Sequence, residues 1–144
     1  DLLCWNCRGA VKAVTICELR DLTKQFAPTV LCIVETQISK ARVESLVDTL
    51  GFSNSDAVGS SGRSGGIGVF WNDGMKLDVF GYFEYHVDAE VLIPNHEEWR
   101  LTCVYGEAQT GERYRTWDML KPRVSVNSLP WLCIGDFNKV RHLH

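Results

Sequence analysis

At 144 residues and a formal charge of −3, the chain has the size of one domain. Hydrophobic residues make up 45% and charged residues 23%, values that exclude a disordered or fibrous chain. No apolar run reaches the ~18 residues of a membrane span, and the acidic balance argues against indiscriminate binding to phosphate backbones.

In chain order, residues 2–6 are apolar up to Asn6 and read as a strand. Ile16, Leu19, Leu22 and Phe26 then recur at helical spacing, and Pro28 ends that helix. A second apolar strand covers 29–35 and runs into Glu35. Ser39 suits a helix N-cap, Val43, Leu46, Val47 and Leu50 form one stripe, and Gly51 stands where a helix-ending glycine belongs. This strand–helix–strand–helix opening predicts an α/β class. Residues 53–66, rich in Ser, Asn, Asp and Gly, are expected to be a loop, either a plain connection or a phosphate cradle. Ile67–Trp71 reads as a strand, and Asn72-Asp73-Gly74 predicts a hairpin back through Lys76–Phe80. Val87, Ala89, Val91 and Ile93 alternate with His86, Asp88 and Glu90, as in a half-buried strand. Pro94–Glu97 turns the chain, and Trp99, Leu101, Cys103 and Tyr105 share one face of the next strand. A helix is expected over 111–121, ended by Pro122. The run Trp131–Ile134 reads as a strand buried on both faces, with Gly135 permitting a sharp turn into Asp136 and Asn138.

Three apolar strands thus end in Asn6, Glu35 and Asp136-Phe137-Asn138. Asp-x-Asn alone is equally an Asx turn. Three such endings instead suggest an oxygen-rich cluster outside the strand ends, where sites form in open α/β sheets. Hard cations such as Mg²⁺ take oxygen ligands together with substrate phosphate oxygens, so the cluster suits metal-assisted phosphoryl or phosphodiester chemistry. Arg113, Arg115, Lys121 and Arg123 are either a solvated helix face or a basic patch. Four of the six cysteines, Cys4, Cys32, Cys103 and Cys133, lie in apolar runs as small hydrophobes. Cys4 and Cys7 would point to opposite faces of a strand with no second pair to follow, so zinc is not expected. The cysteine content fits a reducing compartment better than a disulfide scaffold.

The stretches Trp5–Gly9, Val34-Glu35-Thr36, Ser64–Val69, Val104-Tyr105-Gly106 and Gly135–Asn138 follow the order of the endonuclease/exonuclease/phosphatase superfamily, which the whole chain resembles. The opening and the Gly-Asp-Phe-Asn stretch are most similar to the endonuclease domain of plant LINE-type (non-LTR) retrotransposons. The resemblance implies a DNase I-like fold: two sheets face to face with helices outside, a four-layer α/β sandwich. Residues 1–144 would form one partial domain whose second half is incomplete, leaving apolar sheet surface exposed. It implies Glu35 as ligand of Mg²⁺ or Mn²⁺, with Asn6 binding the phosphate or helping to hold the metal site. Asp136 would orient and deprotonate the attacking water, Asn138 would steady charge on the phosphate, and Tyr105 would donate its hydroxyl there. Arg8, Arg63, Arg113 and Arg115 would meet nucleic acid.

Three departures stand out. Arg8 occupies a position where many relatives carry an acid, Gly106-Glu107 stands where relatives often have proline, and the closing Asp-His pair does not follow Asn138. His142 and His144 lie too close to Asn138 to replace that histidine. The resemblance therefore implies an intracellular DNA endonuclease-like domain of retrotransposon origin, nuclear or cytoplasmic and without membrane partners. It would sit beside a reverse transcriptase domain in a longer chain and be weak or inactive as residues 1–144. The alternatives are a non-catalytic remnant and a phosphomonoesterase of the same superfamily.

Overall fold

A computed structural model describes residues 1–10, 12–61 and 65–138. The elements are β1 (Leu2–Asn6), α1 (Ala13–Phe26), β2 (Val30–Val34), α2 (Lys40–Glu44), β3 (Asn54–Val58), β4 (Ile67–Trp71), β5 (Lys76–Tyr82), β6 (His86–Leu92), β7 (Trp99–Tyr105), α3 (Tyr114–Leu120) and β8 (Trp131–Asp136). One sheet has the order β1-β2-β4-β3 and the other β5-β6-β7-β8. β1 is parallel to β2, β8 is parallel to β7, and the remaining pairs are antiparallel.

The period of two in the strands sorts the side chains into two cores. Val30, Cys32, Val34, Ile67 and Val69 of the first sheet meet Val87, Ala89, Val91, Leu101 and Cys103 of the second. Leu31, Ile33 and Phe70, on the other face of the first sheet, pack with Leu19 of α1 and Val43 of α2. Cys4 joins the core between the sheets and Cys7 the core under the helices. The outer face of the second sheet lies under the 3₁₀ segment Lys121–Ser125, whose Arg123 carbonyl accepts from Nη1 of Arg100. The result is the mixed α/β sandwich of the DNase I type. Among the described residues no helix is long and apolar enough to cross a membrane.

Several expectations need correction. Residues 54–58, expected as loop, form the edge strand β3, because β4 offers its free backbone edge there; only Ala57 of the five is buried. The turn at 72–74 does not close a hairpin: β4 and β5 lie in different sheets, so the turn hands the chain from one layer to the other. The α-helix after Ser39 is short. Ser39 caps it by accepting from the Arg42 N–H, but beyond Glu44 the backbone becomes a series of turns that still bury Leu46 and Leu50. The expected 111–121 helix divides into a 3₁₀ turn at Thr110–Glu112 and α3; the α-helix stops before Pro122 as expected, and a further 3₁₀ segment, Lys121–Ser125, follows. His86 and Asp88, expected on a wet face, are 1% and 0% exposed. β8 is an edge strand and is not buried on both faces; Leu132 is 43% exposed.

Candidate active site

The parallel pairs β1/β2 and β7/β8 deliver Asn6, Glu35, Tyr105 and Asp136 at or just past their C-terminal ends, where the two sheets meet. Nδ2 of Asn6 donates to Oδ2 of Asp136 at 2.9 Å, crossing from one sheet to the other. The hydroxyl of Tyr105 makes a second approach across the sheets, close enough to feel the charges of Glu35 and Asp136. Burial, followed by the charges of Glu35 and Asp136, pushes the Tyr105 phenol up to about 12.

Gly135 does not turn the chain. It lies within β8, so close to β7 that an added Cβ would meet the Val104 oxygen at 1.9 Å. That approach brings Asp136 beside the end of β7, where its carbonyl accepts from the Gly106 N–H at 2.6 Å. The Asn138 N–H donates to Oδ1 of Asp136 at 2.8 Å, and Nδ2 of Asn138 donates to the Gly106 carbonyl at 2.6 Å. The Asx turn and the site are therefore the same structure. A Cβ on Gly106 would stand 2.9 Å from the Phe137 backbone, so the close approach of that segment favours glycine there.

Arg8, Glu35, Gln37 and Asn138 all adopt positive φ, between 46° and 58°. Left-handed backbone at non-glycine residues is uncommon, and its concentration at strand ends marks a locally strained site. The Arg8 N–H donates to Oδ1 of Asn6 at 3.0 Å, which fixes the flip of the Asn6 amide, and Nε2 of Gln37 donates to Oε1 of Glu35 at 3.1 Å. Sequence reading passed over Gln37; its place two residues after Glu35 was the available signal.

The remaining expected residues are more dispersed. Arg8 is exposed on a groove of about 530 Å³ that also takes in Asn6, Lys12, Thr15 and Glu18. Arg113 turns toward the Ala108 carbonyl, and Arg115 pairs with Glu112. Tyr85, Tyr105, Glu107, Glu112 and Arg115 line a second groove of about 440 Å³. Arg63, His142 and His144 lie outside the described residues.

Two carboxylates with amide and phenol oxygens form a hard, oxygen-only donor set, which suits Mg²⁺ or Mn²⁺ rather than a thiolate-seeking metal. Among the described residues no group of three or more His, Cys, Asp or Glu is arranged to hold a metal by itself. A cation here would therefore complete its shell with water, and with phosphate oxygens once a substrate is bound.

The sequence profile of the Endonuclease/Exonuclease/phosphatase family matches residues 3–141. The chain belongs to that family. Similar solved structures bear out the fold. The human Nocturnin catalytic domain with bound sulfate anion superposes with a TM-score of 0.68 at 15% identity, over 94% of this chain and 62% of that one. Humanized D. rerio TDP2 gives 0.66 at 12% identity, over 96% and 62%. The Bacteroides thetaiotaomicron mannosyl-6-phosphatase gives 0.70 at 10% identity, over 95% and 64%. The chain spans less than two thirds of the length of each of these three. No curated protein matches it in sequence.

Proposed function

We propose that this family member is the catalytic core of a divalent-cation-dependent hydrolase of DNA phosphodiesters. In this reading it is of the kind carried by plant LINE-type retrotransposons, acts in the nucleus or cytoplasm, and adjoins a reverse transcriptase domain in the natural chain. The observation that carries the reading is the Asp136 carboxylate. One oxygen accepts from Asn6 and the other from the Asn138 N–H, so the group is oriented from both sides. Each oxygen retains a further lone pair to accept a proton from an attacking water, as a positioned general base requires.

Tyr105 keeps its proton at neutral pH, because burial and two carboxylates hold it near 12, and it donates to a phosphate oxygen. Asn138 spends one amide N–H on Gly106, and its second N–H steadies charge developing on the phosphate. Glu35, with Asn6, would hold the Mg²⁺ or Mn²⁺. When bound, such a cation neutralises phosphate charge and polarises the P–O bond. Arg8 and Lys12, along the groove beside Asn6, supply cations for the DNA backbone. Arg63, Arg113 and Arg115 are further candidates, although Arg115 must first leave Glu112.

A second reading, hydrolysis of phosphomonoesters, is favoured by the groove beside Tyr105. Glu107 and Glu112 outnumber Arg115 there, which suits a compact substrate better than a long polyanion. Nicking of supercoiled plasmid by residues 1–144 with Mg²⁺, beside Asp136→Ala, tests the first reading. Nicking lost in the variant supports it, and folded wild-type protein that leaves the plasmid intact favours the non-catalytic remnant instead. Release of phosphate from small phosphomonoesters under the same conditions would favour the second.

A further inference from the structure

Glu35 leaves β2 at φ 57°, and Gln37 repeats that conformation at φ 58°. Each such residue costs on the order of 1–3 kcal/mol and persists only where its surroundings over-determine it. Here the segment 35–37 is gripped from two sides. The Gly9 and Ala10 N–H groups donate to the Glu35 and Thr36 carbonyls, both at 2.8 Å. The Thr36 and Gln37 N–H groups donate in turn to the Gly66 and Gly65 carbonyls, at 3.2 and 3.0 Å.

This backbone sends the Gln37 side chain back toward the site. Its Nε2 donates to Oε1 of Glu35 at 3.1 Å. Its Oε1 lies only 2.8 Å from where a Cβ on Gly9 would stand, so the glycine at position 9 makes room for the amide. Thr36, between them, contributes through its backbone; its hydroxyl oxygen is buried without a partner among the described residues. A glutamate on a strand end is otherwise free to rotate about its side-chain bonds. A neutral donor orients that carboxylate without cancelling the charge that attracts a cation, which a lysine in its place would do.

We infer that Gln37 is the positioning residue of the cation site, fixing the Glu35 carboxylate so that its remaining lone pairs face a divalent ion. This rests on the cation reading proposed above. Groups that orient a metal ligand typically contribute about 10- to 100-fold to metal affinity.

The test is Mn²⁺ binding to residues 1–144 by isothermal titration calorimetry, with thermal melts recorded in parallel. Gln37→Met keeps the length and removes the donor; Gln37→Ala only removes atoms and serves where Met disturbs the loop. Thr36→Val alters the same segment without touching the Glu35 carboxylate. The expected result is Mn²⁺ affinity about 10- to 100-fold weaker in both Gln37 variants and unchanged in Thr36→Val. Wild-type affinity in folded Gln37 variants overturns the positioning role and leaves the cation site standing. An equal loss in Thr36→Val overturns it too, by assigning the effect to the loop as a whole. Absence of Mn²⁺ binding by the wild type overturns the cation site itself and this inference with it.

Discussion

Asn6 and Asp136 stand 130 residues apart in sequence and share one hydrogen bond of 2.9 Å. Each sits on the edge strand of its own sheet, so the bond couples the two layers where the proposed base must be held. Asn6→Ala frees Oδ2 of Asp136 and removes one net hydrogen bond, a stability loss of about 1 kcal/mol. The effect on rate should be larger, about 10- to 100-fold, because a carboxylate turned from its water no longer acts as a positioned base. Plasmid nicking beside urea denaturation separates the two effects. A rate that falls only as far as the folded fraction would show that Asn6 serves stability alone.

Gly135→Ala probes the contact between β8 and β7. The new Cβ would meet the Val104 oxygen at 1.9 Å, and a backbone atom in a ladder cannot swing aside as a side chain does. The expected loss is at least about 3 kcal/mol, with β8 pushed away and Asp136 withdrawn from Asn6. Urea unfolding measures the loss, and amide hydrogen exchange at Gly106, whose N–H donates to the Asp136 carbonyl, reports the displacement. Unchanged exchange at Gly106 would mean that the strand accommodates the methyl group.

His86 sets an acid limit on stability. It is 1% exposed, stacks on Phe83 with ring centroids 4.1 Å apart, and has no hydrogen-bond partner for either ring nitrogen among the described residues. Burial lowers its pKa to about 4; Asp88 opposes the shift, and Arg123 and Arg100 add to it. The folded protein therefore holds His86 neutral while the unfolded chain binds a proton from about 6.5 downward. This contribution is fully present above pH 6.5 and is lost as pH falls toward 4, amounting to on the order of 2 kcal/mol. Thermal melts between pH 4 and 7 should show the decline, and His86→Phe should flatten it. An equally steep decline in the variant would assign it to other groups.

Much of the fold is written in local pattern. β2 buries all five of its residues and reads as an unbroken apolar run, and the Trp99–Tyr105 alternation marks the inner face of β7 correctly. Where the pattern misled, partners distant in the chain decide the outcome. Nothing in Asn54–Val58 announces a strand, since its polar residues are half-buried against distant partners such as Glu44 and Tyr82 and its backbone pairs with β4. Nor does the 72–74 turn reveal that its two strands belong to different layers. Asp88 looks like a solvated position by alternation, yet it is buried with Arg100 and Thr102 as its hydrogen-bond donors.

The same division holds for the site. Asn6, Glu35, Asp136 and Asn138 could be singled out in sequence because each ends, or closely follows, an apolar strand, and burial patterns are short-range properties of the chain; Tyr105 came from the family resemblance alone. The family, too, was legible in the order of its motifs. What only the tertiary structure decided is how those ends meet: Asn6 against Asp136, Tyr105 within reach of the Glu35 and Asp136 charges, and the Gln37 amide folded back onto Glu35 through the space left at Gly9. Those contacts join strands of opposite sheets or loops held by a third segment. Their geometry follows from sheet stacking and backbone approach, which side-chain periodicity along one strand does not encode.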